Sequence, residues 1–211
     1  MTTDSPGPRQ TDSVRQRYDE LGGRYDFWTR WLDALVVTRF RRDLLSTARG
    51  RVLEIAVGSG KNVRYYPADC ELVGVDLSEE MLRVASKEAT AAGRTLSTHP
   101  LDAGKLPFRD GSFDTVVCTL GGCTFQEPGQ VFEEMRRVCA PEGQGLFLEH
   151  VRPRSTFMRL ALEGLTPLTS RLLGCHPNRD TMTTVRAAGW SVVRQDEAAR
   201  GMFVAAWGSP R

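Results

Sequence analysis

Val52-Leu53-Glu54-Ile55-Ala56-Val57-Gly58-Ser59-Gly60-Lys61-Asn62 is an apolar run with one acid inside it, breaking into a glycine-rich turn. A helix start follows. Strand, glycine turn and helix in that order bring backbone close to a nucleotide-like ligand in α/β proteins. Gly58 and Gly60 leave out side chains where a ligand approaches and permit positive φ. The dinucleotide fingerprint G-x-G-x-x-G is not met, because Val63 stands where its third glycine belongs. What stands here is E-x-A-x-G-x-G.

Outward from this stretch the chain alternates strand and helix patterns. Toward the N-terminus, apolar positions Trp28, Trp31, Leu32, Leu35, Val36, Phe40 and Leu44 predict one amphipathic helix over about 28–48. That helix either packs on its own sheet or serves as a lid or membrane-surface element, with tryptophans and arginines at the interface. Ser13 is expected to cap a shorter helix from Val14 to Leu21, and residues 1–13 read as a disordered tail. Toward the C-terminus, Glu71 to Asp76 is a second buried-type strand. Ser78 caps a helix to about Ala92, with an expected Glu79–Arg83 pair. Strands follow at 95–100, 113–119 and 145–150, and a helix at 127–139 is stopped by Ala140-Pro141-Glu142-Gly143. Residues 152–177 read as a helical insert, and Asn178 is expected to cap a helix to Ala188. Trp190–Gln195 and Met202–Trp207 close the chain as a strand pair joined too tightly for a parallel crossover. The pattern predicts a doubly wound, mostly parallel seven-stranded sheet with an antiparallel last strand. Residues 14–211 then form one domain, with N-terminal lid helices over 14–50.

Composition narrows the function. A net charge of +2 argues against nucleic-acid binding driven by the field of the whole surface. Five cysteines, odd in number, scattered and without a C-x-x-C pair, fit reduced cytosolic thiols better than a disulfide frame or a zinc site. The polar start of the chain has no signal-peptide pattern, and no stretch reaches the length of apolar residues that spans a membrane. A soluble, cytoplasmic protein is expected, with at most reversible membrane contact through residues 28–48.

The polar residues with chemistry to offer lie at strand ends, where doubly wound sheets bind ligands. Asp76 ends the second strand and can accept both hydroxyls of a ribose. Asp102 follows the third and can accept from an exocyclic amine, or is simply a surface acid. His150 and His176 are the acid–base candidates, since neutral imidazole takes a proton near pH 7. Each also has a structural reading, His150 orienting a loop and His176 capping backbone. Glu149 and Asp180 are the only evident acids to orient them.

Glu54 to Gly60, Val73 to Ser78 (VGVDLS), Met81-Leu82, Leu101-Asp102-Ala103, Ser112 to Thr119 and Arg137 to Leu148 resemble the successive motifs of class I S-adenosylmethionine (SAM) methyltransferases. The resemblance covers about residues 14–207. It is strongest toward the branch of ubiquinone-biosynthesis C-methyltransferases, phosphatidylethanolamine N-methyltransferases and alkyl-thiol methyltransferases, through GKNVRYYP at 60–67, LEHV at 148–151 and GCHPNRDT at 174–181. It implies a Rossmann-like fold with SAM as cofactor and S-adenosylhomocysteine as product. By position it sets Gly58 and Gly60 against the amino-acid part of SAM, Asp76 on the ribose, Asp102 and Ala103 on the adenine, and Thr119 on the methionine chain. Tyr25 closes over the cofactor, and Glu54, Ala56, Asn62, Leu77 and Met81 complete the set. Ala56 departs from the family's glycine and is tolerable if it keeps a β conformation. Gly121-Gly122 is expected to widen the acceptor pocket.

The resulting expectation is methylation of a small, partly apolar molecule in secondary metabolism or detoxification, by a monomer or homodimer that needs no metal. A thiol is the first choice of acceptor, ahead of an amine, a phospholipid headgroup, a phenol or a quinone. Arsenite methylation is disfavoured, since Cys118, Cys123 and Cys139 sit in core-type segments. An NAD-dependent oxidoreductase and a SAM-binding module without turnover are the rivals.

Overall fold

The computed structural model describes residues 37–150, 164, 179–198 and 203–210. The expected tail, the helix at 14–21, the first part of the helix at 28–48 and most of the insert at 152–177 lie outside them, as do Tyr25 and His176.

The described chain runs α1 (Thr38–Leu45), β1 (Arg51–Ile55), a 3-10 turn (Val63–Tyr65), β2 (Glu71–Asp76), α2 (Glu79–Ala91), β3 (Leu96–Pro100), β4 (Phe113–Thr119), α3 (Pro128–Val138), β5 (Cys139–His150), α4 (Thr181–Ala187), β6 (Trp190–Ala198) and β7 (Phe203–Pro210). The sheet order is β3-β2-β1-β4-β5-β7-β6. Pairings from β3 through β5 are parallel, and β7 is antiparallel to both of its neighbours. The chain steps outward from β1 to β2 and β3, then returns to start again at β4 on the other side of β1. The carboxyl ends of β1 and β4 therefore flank the topological switch point.

Local sequence explains most elements. β1, β2 and β4 are near-continuous apolar runs because helices cover both faces of the sheet. Ser78 caps α2 by accepting from the Met81 N–H at 3.1 Å. Pro128 opens α3, where its missing N–H costs nothing. One core layer joins Phe132 and Met135 of α3 to Phe147, Val185 and Trp190, and the buried Trp190 indole donates to the Phe132 carbonyl at 2.9 Å. The other joins Leu44 and Leu45 of α1 to Val52, Leu148 and Trp207.

Four local expectations are corrected. Arg83 pairs with Glu80, one residue nearer than Glu79. Asp180 caps α4, its carboxylate accepting from Thr183 N–H at 3.2 Å and Thr183 hydroxyl at 2.7 Å. Ala140-Pro141-Glu142-Gly143 does not separate α3 from a later strand. It lies within β5 as a bulge, since Phe113 pairs with Cys139 and Thr115 with Gln144. The described part of the helix expected to reach Ala48 ends at Leu45.

Candidate functional site

The loops leaving β1 and β4 meet at the switch point. Glu54 points into the interior from β1 and is buried. Its carboxylate accepts from Asn62 Nδ2 at 2.6 Å and from the Tyr66 hydroxyl at 2.7 Å. Asn62 Nδ2 also donates to Thr119 Oγ1, at the end of β4, at 2.8 Å. One amide thus ties the first strand to the fourth. Burial pushes the Glu54 carboxyl up to about 7, against the opposing pull of Tyr66, Asn62 and the Arg41 charge. Burial and the neighbouring carboxylate push Tyr66 well above its ordinary value. Asn62 Oδ1 is buried and has no hydrogen-bond partner among the described residues. A buried acceptor left unmet is costly, and it marks a place for an incoming donor.

Asp76 ends β2 beside this network. Its carboxylate accepts from Gly58 N–H at 2.9 Å and Ser78 N–H at 3.0 Å. Two amides, one on each oxygen, fix the acid's orientation. Gly58 has φ +54°, and a Cβ there would meet nothing nearer than the Ala56 carbonyl at 3.9 Å. Its face is open, as an approaching ligand requires.

Gly60 differs. Its φ is +78°, and a Cβ would lie 2.9 Å from the Ala85 Cα. That glycine lets α2 pack on the turn, so its lack of a side chain serves helix contact. Ala56 does not keep a β conformation: its φ is +52°. The alanine that replaces the family's glycine sits in the left-handed region, at a cost of about 1 kcal/mol or more. Leu120, at the matching end of β4, has φ +56°. The two non-glycine residues with positive φ among the described residues both lie at the switch point.

The remaining expected residues are more dispersed. Met81 is buried in the core and Leu77 half-buried. Asp102 is exposed and accepts from Gly104 N–H at 2.8 Å, while Ala103 packs on the core edge. The Leu101 N–H donates to the Asp76 carbonyl at 3.1 Å, which brings this loop to the end of β2. His150 ends β5 with its ring 4.5 Å from that of Phe203. Glu149 does not orient it, because alternate residues of a strand face opposite sides. The Glu149 carboxylate instead accepts from Gly122 N–H and the Cys118 thiol, each at 3.1 Å. Burial raises Glu149 to about 7. Asp180 is likewise committed, to the cap of α4. Gly121 and Gly122 are closely packed, and Gly122 lines a cavity with Arg179 and Thr181, while the rest of the expected acceptor pocket lies outside the described residues. A Cβ on Gly121 would lie 3.1 Å from the Ala56 Cβ, and one on Gly122 would lie 2.8 Å from Thr181 Cγ2 and 3.0 Å from Glu149 Oε2. They let the loop close.

Tyr66 and Glu149 were not singled out as site residues from the sequence. The available signals were an acid inside the apolar run LFLEH and a tyrosine ahead of Pro67.

Comparison with known proteins bears on the family and the fold. The family model described as Methyltransferase domain matches residues 53–147. The ubiquinone/menaquinone biosynthesis C-methyltransferase of Geotalea uraniireducens (strain Rf4) is 30% identical over 160 residues, covering 70% of this chain and 67% of that protein. The thiol S-methyltransferase of Rattus norvegicus is 31% identical over 160 residues, covering 72% and 65%. This chain thus spans about two thirds of the length of these curated relatives. A solved structure from Thermotoga maritima, described as a SAM-dependent methyltransferase and possible histamine N-methyltransferase, superposes with a TM-score of 0.70 at 20% identity, covering 94% of this chain and 100% of that one. At that identity the likeness is one of fold.

Proposed function

This chain belongs to the SAM-dependent methyltransferases, and on that premise we propose that it methylates a small, partly apolar acceptor, a thiol first. SAM, when bound, supplies an electrophilic methyl on a sulfonium, open to in-line displacement. The described residues fit such a cofactor. The orphaned Asn62 Oδ1 beside buried Glu54 suits a cationic N–H donor, which is what the amino end of SAM carries. Asp76, pre-oriented by Gly58 and Ser78, would hold the ribose, with Asp102 and Ala103 toward the adenine and Thr119 toward the methionine chain. Tyr25, His176 and the helices over 14–50 belong to the same reading.

The chain's main task is to align the acceptor with the methyl and to keep water out. The observation that carries the thiol reading is the commitment of Glu149 to Gly122 and Cys118. Glu149 therefore does not serve as the orienting acid of the neighbouring His150 imidazole, and a site without that pairing suits an acceptor that ionises by itself. A thiol near its ordinary pKa already supplies some thiolate at neutral pH, whereas an amine or hydroxyl needs more help. The similarity to a thiol S-methyltransferase supports the same choice. Similarity to a quinone C-methyltransferase favours carbon methylation of a quinone or phenol ring as the second reading.

A panel of alkyl thiols, amines, phenols and quinols scored for S-adenosylhomocysteine release tests this. Thiols should give the highest kcat/KM. Rapid turnover of phenols or amines with inert thiols overturns the thiol reading. A melting temperature raised by NAD and not by SAM overturns the cofactor assignment.

A further inference from the structure

Gly122 is held by both of its backbone polar groups, from two separate parts of the chain. Its N–H donates to the two Glu149 carboxylate oxygens at 3.1 Å each. Its carbonyl accepts from the Arg179 guanidinium at 3.3 Å, and the same guanidinium donates to the Phe125 carbonyl. The seat is close-fitting on both sides, since the missing Cβ of Gly122 would strike Thr181 and Glu149. Thr181 in turn donates from its hydroxyl to the His150 carbonyl at 3.3 Å, which anchors this strand end to the start of α4.

The loop held in this way begins under strain. Leu120 enters it at φ +56°, a conformation that persists only where the surroundings impose it. Its N–H donates to the Leu148 carbonyl at 2.7 Å. One residue on, Gly121 lies against Ala56, whose own φ is +52°. The route from Glu149 to the β1 loop is thus short: Glu149 to Gly122, Gly122 to Gly121, and Gly121 to Ala56. An acid within the apolar end of β5 is an expensive choice unless its oxygens meet donors, and the donors it meets are the Cys118 thiol on β4 and the Gly122 N–H of this loop.

We propose that Glu149 and Arg179 are positioning residues that clamp Gly122, hold residues 120–125 in their strained entry, and so keep Gly121 against Ala56 as one wall of the cofactor site. The proposal rests on the reading of the Ala56–Gly58 loop as that site. It assigns Glu149 and Arg179 no contact with cofactor or acceptor.

The test uses the full chain with S-adenosylhomocysteine as probe, by calorimetry below the melting temperature, alongside amide hydrogen exchange. Glu149→Ala and Arg179→Ala should each weaken binding by at least about fivefold, the order expected when a hydrogen bond to a charged group is lost. Each should speed exchange at residues 121–125 by about tenfold or more, as local opening becomes easier. Glu149→Gln should restore both, because its amide oxygen still accepts from the Gly122 N–H. Arg179 is only part-buried, so its variants keep the test open should Glu149→Ala fold poorly. Unchanged affinity in both alanine variants overturns the clamp, even if exchange is faster, since the contacts would then stabilise the loop without setting the site. Failure of the wild type to bind the probe overturns the cofactor reading instead, and the exchange data then judge the clamp separately.

Discussion

Glu54 and Glu149 are the same residue type in the same surroundings, buried near the carboxyl ends of strands separated only by β4. Burial raises both to about 7. They differ in what answers them. Glu54 meets side chains, the Tyr66 hydroxyl and the Asn62 amide, and through Asn62 the network ends at a buried acceptor with no partner among the described residues. Glu149 meets a backbone N–H and a thiol that are fully spent on it. An acid answered by side chains can pass its influence outward to a ligand. An acid answered by backbone fixes the shape of a loop. On the function proposed above, the first arrangement makes a site and the second supports one.

The largest effect that sharpens this comparison is with pH. Each carboxyl has a folded pKa above its ordinary value of 4.5, so the stability it contributes is complete below about 4.5 and lost as pH rises through about 7. The size is at most about 3 kcal/mol per group, taking about 1.4 kcal/mol per pKa unit. Urea unfolding should show stability falling from about pH 5 to about pH 8. Glu54→Gln and Glu149→Gln should each flatten part of that fall. A wild-type profile that rises over the same range would contradict the shared burial of the two acids.

Truncation separates them next. Glu54→Ala strips two buried side-chain donors of their acceptor and should cost about 3 kcal/mol, while Glu149→Ala leaves one N–H and a thiol and should cost about 1–2 kcal/mol. Chemical denaturation at mildly acidic pH compares the two, and a larger loss at Glu149 would break the distinction.

Asp76 is the intermediate case, oriented by backbone amides yet placed at the ligand side. Asp76→Ala should cost less stability than Glu54→Ala, because its two amide partners are only part-buried, and should weaken SAM by about 1–3 kcal/mol in calorimetry. Wild-type affinity in that variant would remove Asp76 from the site. The smallest effect is at Ala56, between the two networks. Ala56→Gly should raise stability by up to about 1 kcal/mol, because relief of the positive φ outweighs the added freedom of the unfolded chain. A loss of stability would mean that the methyl is needed for packing against Gly121.

The strands of this fold were legible because parallel strands covered on both faces are apolar throughout and end at glycine, acid or proline. β4 was read at Phe113–Thr119 with its observed bounds, and the antiparallel return of β7 followed from the short connection at 196–201. The residues that meet at the switch point were also legible: Glu54, Gly58, Asn62, Asp76 and Thr119. What joins them was not. The bond from Asn62 to Thr119 spans 57 positions and exists only once β1 and β4 pair. The φ of Ala56 was misread because alanine rarely enters the left-handed region, and only the tertiary frame forces it there. The packing role of Gly60 was not legible because its contact, Ala85, lies in another element. Asn178 was preferred to Asp180 as a cap because both residues suit that role and sequence alone does not rank neighbours two apart.

The placement of β7 between β5 and β6 carries a consequence for the growing chain. Synthesis delivers β5 and then β6, but neither has its partner on that side until residues 203–210 emerge from the ribosome. Until then β5 offers an unpaired edge next to Leu146, Phe147 and Leu148, and β6 has no sheet to join. A ribosome stalled before Phe203 would therefore hold an open, sticky edge, of the kind that recruits chaperones or pairs with another nascent chain.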